Sequence, residues 1–296
     1  MQGLFHLFFS SLFYVMMLSM EMIQMHIKTV ICDIDGTLMA PGGGLYVSEQ
    51  VKQKMIDLQE KGILIILASA RIFQGVLPLA YQIEMDKYGG YILSSNGTYA
   101  YDMKHKKMLF CEGIQKEDAF EMWNLCRKEG VDFGIAQPSC MVASGFSTGF
   151  YQDHFNCDID FMITTRPQEH VDKEISKCMV SSNKEKIDIA YPILKENIES
   201  KYPYVVVRST DTVLDIVKKG CGKKEGLQKL MTSVHLSFDE AAAIGDGNSD
   251  ALMIQESVFG ATLENGSALC KQYADMITPS YKEDGCLAFF EKIMDL

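Results

Sequence analysis

The string Cys-Asp-Ile-Asp occurs twice in this chain, at residues 32–35 and again at residues 157–160. In an extended segment, side chains two positions apart point to the same side. Either pair of aspartates could therefore hold a cation or divide acid and base roles between two carboxylates. A calcium loop beginning at Asp33 is excluded, because it needs glycine at its sixth position and glutamate at its twelfth, where this chain has Leu38 and Gly44.

The surroundings of the two copies favour the first as a functional site. It follows the apolar run at residues 28–31 and precedes Gly36 and Thr37, whereas the second copy has neither an apolar run before it nor Gly-Thr after it. Apolar runs that end abruptly in polar residues are typical of strands buried on both faces of a parallel sheet. We predict a site at the first copy and an exposed, non-catalytic strand or loop at the second.

Three more apolar runs end in the same way, at residues 63–69, 91–95 and 241–246. In open α/β sheets, ligands bind beyond the carboxyl ends of the strands. Asp33, Ser69 and Asp246 fall at such ends, so the pattern predicts that these side chains share one site.

The segment between the first two runs has the spacing of an amphipathic helix. Val51, Met55 and Leu58 recur at helical intervals, Ser48 can cap the start and Gly62 can end the helix. The result is a β-α-β unit.

The chain is long enough for about two domains. A crossover in a doubly wound sheet takes about 30 residues, so the stretch from 72 to 222 predicts an insertion. We predict an α/β fold with a Rossmann-like parallel sheet core, helices on both faces, and an inserted α/β domain. The expected ranges are an apolar extension outside the fold (1–26), the core (27–112 and 214–296) and the insertion (113–213).

Four short motifs follow one another in a fixed order along the chain. They are DIDGT at residues 33–37, ASAR at 68–71, GCGKKEGL at 220–227 and GDGNSDALM at 245–253. These resemble the four motifs of the haloacid dehalogenase superfamily of phosphatases, in particular its Cof-type branch, which carries a large cap domain between the second and third motifs. The resemblance covers 27 to about 112 and 214–296 well, whereas the insertion matches the cap only in size and position.

The resemblance implies an Mg²⁺-dependent phosphomonoester hydrolase. Asp33 would attack phosphorus and form an aspartyl phosphate, and Asp35 would act as the acid and then the base. Mg²⁺ would be bound by the carboxylates of Asp33 and Asp246 and by the backbone carbonyl of Asp35. Asp250 would support that metal site indirectly. Thr37 would order the loop.

Ser69 and Lys223 would bind the transferring phosphate and neutralise its charge. Two other candidates for phosphate binding have structural explanations. Arg71 could equally well contact the phosphate or an acidic neighbour. The first explanation of Asn96 is a hairpin turn with Gly97, although the family often has Asn-Gly at this position beside the site.

The chain departs from the family pattern at three positions. Ala70 and Lys224 stand where the family usually has glycine. Ser249 stands where the family usually has asparagine, and it is the candidate phosphate contact of this loop. Asn248 is adjacent, so the side chain that reaches the phosphate stays open.

Composition limits the range of partners. The net charge of -11 argues against sequence-independent nucleic-acid binding, so a small phosphorylated metabolite is expected, with sugar phosphates the leading class by resemblance. Nine scattered cysteines suit reduced thiols in a cytoplasm. The alternatives are a phosphomutase or other phosphoryl transferase, and a catalytically idle sugar-phosphate sensor.

Residues 3–20 contain no Asp, Glu, Lys or Arg, so a membrane tether is the alternative localisation. Against it, no basic region or small-residue cleavage site is present, and Glu21 is the first charged residue. We therefore favour an extension upstream of a domain that begins near Lys28, or a mis-set start of the chain, over a membrane contact.

Overall fold

The computed structural model describes residues 26–172 and 174–296. Its strands are β1 (Thr29–Cys32), β2 (Leu64–Ala68), β3 (Tyr91–Ser94), β4 (Tyr99–Asp102), β5 (Lys107–Cys111), β6 (Asp132–Ala136), β7 (Met141–Ala143), β8 (Phe161–Ile163), β9 (Lys177–Ser181), β10 (Tyr204–Arg208), β11 (Val213–Lys218), β12 (Ala241–Ile244), β13 (Phe259–Leu263) and β14 (Met276–Thr278). Its α-helices are α1 (Glu49–Glu60), α2 (Leu77–Gln82), α3 (Met85–Tyr88), α4 (Lys116–Lys128), α5 (Thr148–Cys157), α6 (Lys184–Lys201), α7 (Lys223–Ser233), α8 (Ala251–Glu256), α9 (Ala268–Tyr273) and α10 (Cys286–Asp295).

The first sheet has eight strands in the order β14-β13-β12-β1-β2-β3-β4-β5. The strands from β14 to β3 are parallel to one another, and β4 and β5 add an antiparallel edge. All four apolar runs predicted to be strands lie in this sheet, which confirms the predicted parallel core. Strand β1 has β12 on one side and β2 on the other, so the ends of these three strands meet.

Helices cover both faces of this sheet. Val30 and Cys32 of β1 pack on one face together with α1 and α10, while Ile31 packs on the opposite face with α7 and α8. This alternation follows from the two-residue period of a strand. It confirms the predicted Rossmann-like arrangement.

Helix α1 forms where the sequence pattern places it. The Ser48 side chain accepts a hydrogen bond from the Val51 amide, so it caps the first turn. Met55 and Leu58 are buried with Val51 on the face that packs against the sheet. Gly62, just after the helix, has φ +86, the left-handed conformation that glycine adopts readily.

The second sheet has six strands in the order β10-β11-β9-β6-β7-β8 and is antiparallel except for the β7-β8 pair. Helices α4 and α6 pack on one of its faces around Trp123 and Leu194. Its strand β11 continues to Lys218, past residue 213 where the sequence predicts the insertion to end. No proline or glycine between Val213 and Lys218 interrupts this strand.

Helix α5 lies on the other face of the second sheet, towards the first sheet. Phe150 and Cys157 of α5 join a buried cluster that includes Met179 of β9 and Ile72, which follows β2. We call the eight-stranded sheet with its helices the core lobe and the six-stranded sheet with its helices the inserted lobe. Ile72 thus makes an apolar contact between the two lobes.

Among the described residues, no helix is long and apolar enough to cross a membrane. The predicted extension, including its alternative as a membrane contact, falls on residues 1–26, and all of these except His26 lie outside the described residues. All nine cysteines are free thiols, as predicted.

Candidate active site

Asp33 and Ser69 lie directly after β1 and β2, and Asp246 lies two residues after β12, the neighbouring parallel strand on the other side of β1. The Asp33 amide donates a hydrogen bond to the Ile244 carbonyl at 3.0 Å, which fixes the end of β1 against β12. Asp33 and Ser69 are buried. The structure therefore brings these three predicted site residues to one edge of the sheet.

The turn after Asp33 places its carboxylate beside that of Asp246. Gly36 has φ +85, and a β-carbon at this position would lie 2.4 Å from an Asp246 oxygen, so only glycine fits. The buried Thr37 hydroxyl lies 3.1 Å from Asp33 Oδ2 and 3.2 Å from Asp246 Oδ1. Thr37 has one proton for these two oxygens, so the pair of carboxylates needs further positive charge.

Lys223, the first residue of α7, supplies one such charge. Its ammonium group donates to Asp33 Oδ1 and, at 2.6 Å, to Asp250 Oδ1. Lys223 and Asp250 are both buried. The lysine predicted from the motif register is thus the one that lies among the carboxylates, whereas Lys224 pairs with Glu256 at the surface.

Asp250 holds the loop that carries Asp246. Its Oδ2 accepts hydrogen bonds from the backbone amides of Asp246 at 3.2 Å and Gly247 at 2.9 Å. Both of its oxygens therefore have protein partners. This geometry suits the predicted supporting role of Asp250 better than direct contact with a ligand.

The electrostatics of the cluster favour a bound cation. Burial raises the pKa of Asp33 to about 7, and the Asp250 charge adds to this rise, while Lys223 opposes it. Burial and Asp250 also raise the pKa of Asp246. Burial lowers the pKa of Lys223, but the carboxylates of Asp250 and Asp33 outweigh it and the net shift is upward. One lysine thus faces three carboxylates.

A divalent cation fits this donor set. Oxygens of Asp33, Asp246 and Asp250 lie within 4.8 Å of one another. Carboxylate oxygens are the ligands that Mg²⁺ prefers, and a cation would offset the mutual repulsion that raises these pKa values. The Asp35 side chain is not part of this group, consistent with the expectation that Asp35 would offer only its backbone carbonyl.

The Asp35 side chain instead forms an ion pair with Arg71. Arg71 donates from Nε to Asp35 Oδ2 at 2.7 Å and from Nη2 to Asp35 Oδ1 at 2.6 Å. Its Nη1 donates to the carbonyls of Gly44 and Gly75. Of the two alternatives for Arg71, the structure shows contact with an acidic neighbour. The Arg71 amide also donates to Ser69 Oγ at 3.1 Å.

Asn96 lies in the turn of the β3-β4 hairpin, so the structural explanation of Asn96-Gly97 is correct. The Asn96 amide donates to the Ser69 carbonyl at 3.2 Å, which places the turn beside the site. In the described part of the chain, the Asn96 side chain makes no hydrogen bond, and neither does the exposed Ser249 side chain. Their predicted contacts with phosphate stay predictions.

The second Cys-Asp-Ile-Asp copy lies apart from this cluster. Asp158 follows the last residue of α5 and has φ +54, and Asp160 precedes β8; both are exposed, as predicted. They line an open cleft of about 570 Å³ together with Tyr46 and Tyr81.

Two features of the site were absent from the sequence prediction. Asn265 donates from Nδ2 to the Gly36 carbonyl at 2.8 Å and lies 3.4 Å from Asp246 Oδ2. It follows β13, another parallel strand, so its position at a strand end was the signal that could have identified it. Asp153 of α5 lies in a cavity that also contains Asp35. No motif marks Asp153, because only the packing of α5 against the core lobe brings it there.

Comparison with known proteins identifies the family. The sequence pattern of haloacid dehalogenase-like hydrolases matches residues 30–290. The chain belongs to this family. A crystal structure of a haloacid dehalogenase-like hydrolase from Bacteroides thetaiotaomicron is similar with a TM-score of 0.82 and 26% identity, over 90% of this chain and 99% of that one.

Two curated relatives are also similar over most of their length. A Streptococcus pyogenes serotype M6 protein, whose name assigns it provisionally to the phosphatases, is 27% identical over 88% of this chain and 96% of its own. The 5-amino-6-(5-phospho-D-ribitylamino)uracil phosphatase of Bacillus subtilis is 22% identical over 90% of this chain and 96% of its own. The family match and these relatives confirm the prediction of a Cof-type hydrolase that acts on phosphate esters.

Proposed function

We propose that this hydrolase is an Mg²⁺-dependent phosphatase that releases inorganic phosphate from a small, polyhydroxylated metabolite through an aspartyl-phosphate intermediate. The observation that carries the proposal is the cluster of Asp33, Asp246, Asp250 and Lys223 at the carboxyl ends of neighbouring strands. The Bacillus subtilis relative, whose name specifies a phosphate on a ribityl group, supports the substrate class.

In the first step Asp33 acts as the nucleophile. One of its carboxylate oxygens attacks phosphorus, the bond between phosphorus and the alcohol oxygen breaks, and Asp35 gives a proton to the departing oxygen. In the second step Asp35 takes a proton from water, the water oxygen attacks phosphorus, and the bond between phosphorus and the Asp33 oxygen breaks, which frees inorganic phosphate and regenerates the Asp33 carboxylate.

Asp35 is oriented for this role by Arg71. Both of its oxygens accept hydrogen bonds from the guanidinium, which prevents the carboxylate from rotating towards the metal ligands. One of these bonds must give way to the leaving oxygen during proton transfer.

The remaining residues act by charge and position. Lys223 neutralises charge on the transferring phosphoryl oxygens, and Ser69 donates its hydroxyl to them. Asp33, Asp246 and the Asp35 carbonyl would hold Mg²⁺, which supplies the positive charge that lets a dianionic phosphate approach the carboxylates.

The test is a phosphate-release assay over sugar phosphates, nucleotides and pyridoxal phosphate, with Mg²⁺, with Ca²⁺ and with EDTA. We expect turnover with Mg²⁺ and much less with Ca²⁺, because the larger ion accepts a looser geometry. Full activity in EDTA would end the metal proposal.

The same assay separates the alternatives. A phosphomutase or transferase would consume the ester without releasing inorganic phosphate in equal amount, and an idle sensor would bind esters without consuming them. Acid-stable labelling of the protein by a phosphorylated substrate tests the covalent intermediate.

A further inference from the structure

A half-enclosed cavity of about 240 Å³ lies between the two lobes and reaches Asp35. Pockets for drug-sized ligands have volumes of roughly 300–1,000 Å³, so this cavity suits a single small ring or a short chain. Its charged and polar side chains that matter here are Asp35, Arg71, Asp153, Lys177, Ser209 and Asp215. Because it adjoins the proposed proton donor, it is the place where the alcohol part of the ester would lie.

The positive charges in this cavity already have negative partners. Arg71 is paired with Asp35. Lys177 is paired with Asp215 at 2.8 Å and donates to the Ala70 carbonyl at 3.0 Å, and both members of this pair are buried. Neither cation is free to neutralise an anionic group on a ligand.

Asp153 differs from the other carboxylates of this cavity in its surroundings. It lies on the same face of α5 as the buried residues Phe150 and Cys157, spaced three and seven residues from the first. Among the residues that the structure describes, its side chain has no hydrogen bond and no ion pair, whereas Asp215 accepts from both Lys177 and Ser209. Burial raises the pKa of Asp153 to about 6, although the nearby charges of Lys177 and Arg71 oppose this rise. A partly buried carboxylate without a partner costs stability and is typical of functional sites.

We propose that Asp153 is a specificity-determining residue that accepts hydrogen bonds from hydroxyl or ammonium groups of the leaving alcohol and selects against a second anion on the substrate. The inference rests on the proposed phosphatase function and narrows it. A carboxylate is an acceptor only, so it satisfies donors of a sugar or amino sugar. A carboxylate or second phosphate on the ligand would face an unpaired negative charge and find no free cation.

Three esters of equal carbon number and different charge test this proposal: glucose 6-phosphate, glucosamine 6-phosphate and 6-phosphogluconate. p-Nitrophenyl phosphate serves as a generic ester without sugar hydroxyls. We expect the wild-type protein to give a kcat/KM for the first two that exceeds that for 6-phosphogluconate by about 10-fold or more, the scale of one hydrogen bond to a charged group.

Two variants separate charge from hydrogen bonding. Asp153→Asn keeps an acceptor without the charge, so the preference for glucose 6-phosphate over 6-phosphogluconate should fall towards one, mainly through KM. Asp153→Ala removes the acceptor as well, and kcat/KM for glucose 6-phosphate should fall by about 10-fold. Because p-nitrophenyl phosphate has no sugar hydroxyl for Asp153 to bind, its kcat/KM should fall less than that for glucose 6-phosphate in both variants. The matched control is Asp160→Asn, which removes an exposed charge from outside this cavity.

Equal turnover of 6-phosphogluconate and glucose 6-phosphate by the wild-type protein would overturn the inference. So would identical substrate profiles for Asp153→Asn and Asp160→Asn. If no ester, including p-nitrophenyl phosphate, releases phosphate, the proposed function has failed. Dissociation constants of the three sugar esters, measured by calorimetry for the wild-type protein and Asp153→Asn, then decide whether Asp153 selects among them.

Discussion

Asp33 and Asp158 stand at the same place in two identical four-residue strings, but their surroundings differ. Asp33 is buried between a lysine, a threonine and two other carboxylates. Asp158 is exposed at the end of α5. The chemistry available to an aspartate therefore depends on the strand before it and the loops beside it, and not on the string itself.

This contrast can be tested with Asp33→Asn and Asp158→Asn. Asn keeps the shape of the side chain but is not a nucleophile, so Asp33→Asn should lower kcat by on the order of 10³-fold or more and abolish the acid-stable phosphoenzyme. Asp158→Asn should keep both the label and the Mg²⁺ requirement. Loss of the label in Asp158→Asn alone would reverse the assignment of the two copies.

The register of the third motif can be tested with Lys223→Ala and Lys224→Ala. Lys223 is buried between Asp33 and Asp250, whereas Lys224 pairs with Glu256 at 2.9 Å at the surface. We expect a fall in kcat of on the order of 10²-fold or more for Lys223→Ala, the scale of a lost electrostatic contact to a transition state. Lys224→Ala should keep a kcat near that of the wild-type protein. If Lys224→Ala lost more activity than Lys223→Ala, the third motif would have been aligned one residue too early.

The unpaired Asp153 should make stability depend on pH. Its pKa rises from 3.8 in the unfolded chain to about 6 in the folded protein, so the folded state holds the proton more tightly. The contribution of Asp153 to the free energy of unfolding should therefore fall by about 1–3 kcal/mol as pH rises from about 4 to about 6. Asp153→Asn should remove this contribution and be more stable than wild type at neutral pH.

Urea unfolding curves for wild type, Asp153→Asn and the exposed Asp160→Asn, recorded across that pH window, measure the effect. The advantage of Asp153→Asn over wild type should grow with pH. If the excess stability of Asp153→Asn over wild type shrinks as pH rises, or if Asp160→Asn shows the same excess, burial does not set the pKa of the Asp153 carboxyl.

The sequence predicted the strand-end residues well because a parallel sheet brings all its carboxyl ends to one edge. Asp33, Ser69 and Asp246 needed only the strand pattern. The partner of Arg71 could not be predicted, because a guanidinium can bind either a phosphate or a carboxylate, and only the fold shows that Asp35 is within reach. Asp153 could not be found for a related reason, since its helix is placed by tertiary packing.

Among the elements, helix α7 and the β3-β4 hairpin form a single unit. Gly97 has φ +92, and a β-carbon there would lie 2.2 Å from the Gly222 carbonyl oxygen, just before Lys223. The backbone of the hairpin thus touches the start of α7 directly. The position of the Lys223 ammonium group depends on this contact.

Gly97→Ala tests that dependence, with Gly130→Ala as its control. Gly130 also has a positive φ, +70, but nothing lies within 4 Å of its β-carbon position. Gly130→Ala should cost only backbone strain, about 1–2 kcal/mol. Gly97→Ala should lower the free energy of unfolding by more than this. It should also lower kcat by on the order of 10²-fold, because the added methyl group displaces the start of α7 and with it Lys223.

Urea unfolding and steady-state kinetics of the two variants give the comparison. A Gly97→Ala protein that is destabilised only as much as Gly130→Ala and that retains full kcat would show that the hairpin does not set the position of α7.

Comparison of individual helices and strands shows where sequence patterns fail to predict an element. Helix α1 was predictable because apolar spacing and a Ser48 cap agree. Helix α5 was not, since Gly149, Phe150 and Cys157 are its buried residues and too few to give a clear period. Strand β11 starts at Val213, the predicted end of the insertion, and runs on to Lys218 without a proline or glycine to mark a boundary. Local signals fix an element only when several of them coincide.

In the whole molecule, the two lobes have separate apolar cores and share a small contact. One cluster joins Ile72 of the core lobe to residues of the inserted lobe such as Phe150 and Met179. One of several polar contacts between the lobes is made by Lys177, which pairs with Asp215 within the second sheet and donates to the Ala70 carbonyl of the core lobe. This lysine stabilises the inserted sheet and also holds that sheet against the loop that follows β2.

The last prediction concerns the net contribution of this buried pair. Lys177→Met leaves the Asp215 carboxylate buried without its cation, which should cost about 3–5 kcal/mol in the free energy of unfolding. In Lys177→Met with Asp215→Leu no uncompensated charge remains, so most of that stability should return.

The double variant still lacks the hydrogen bond to Ala70, so its contact between the lobes should be weaker than in the wild-type protein even when its stability is restored. Urea unfolding of the single and double variants, with kcat/KM for a sugar phosphate measured alongside, separates the two effects. We expect the double variant to unfold near the wild-type midpoint while kcat/KM stays reduced, because the contact between the lobes, and not the stability of either one, shapes the half-enclosed cavity beside Asp35. A double variant as unstable as Lys177→Met would show that the pair is itself strongly stabilising, and full recovery of kcat/KM would show that the Ala70 contact does not shape this cavity.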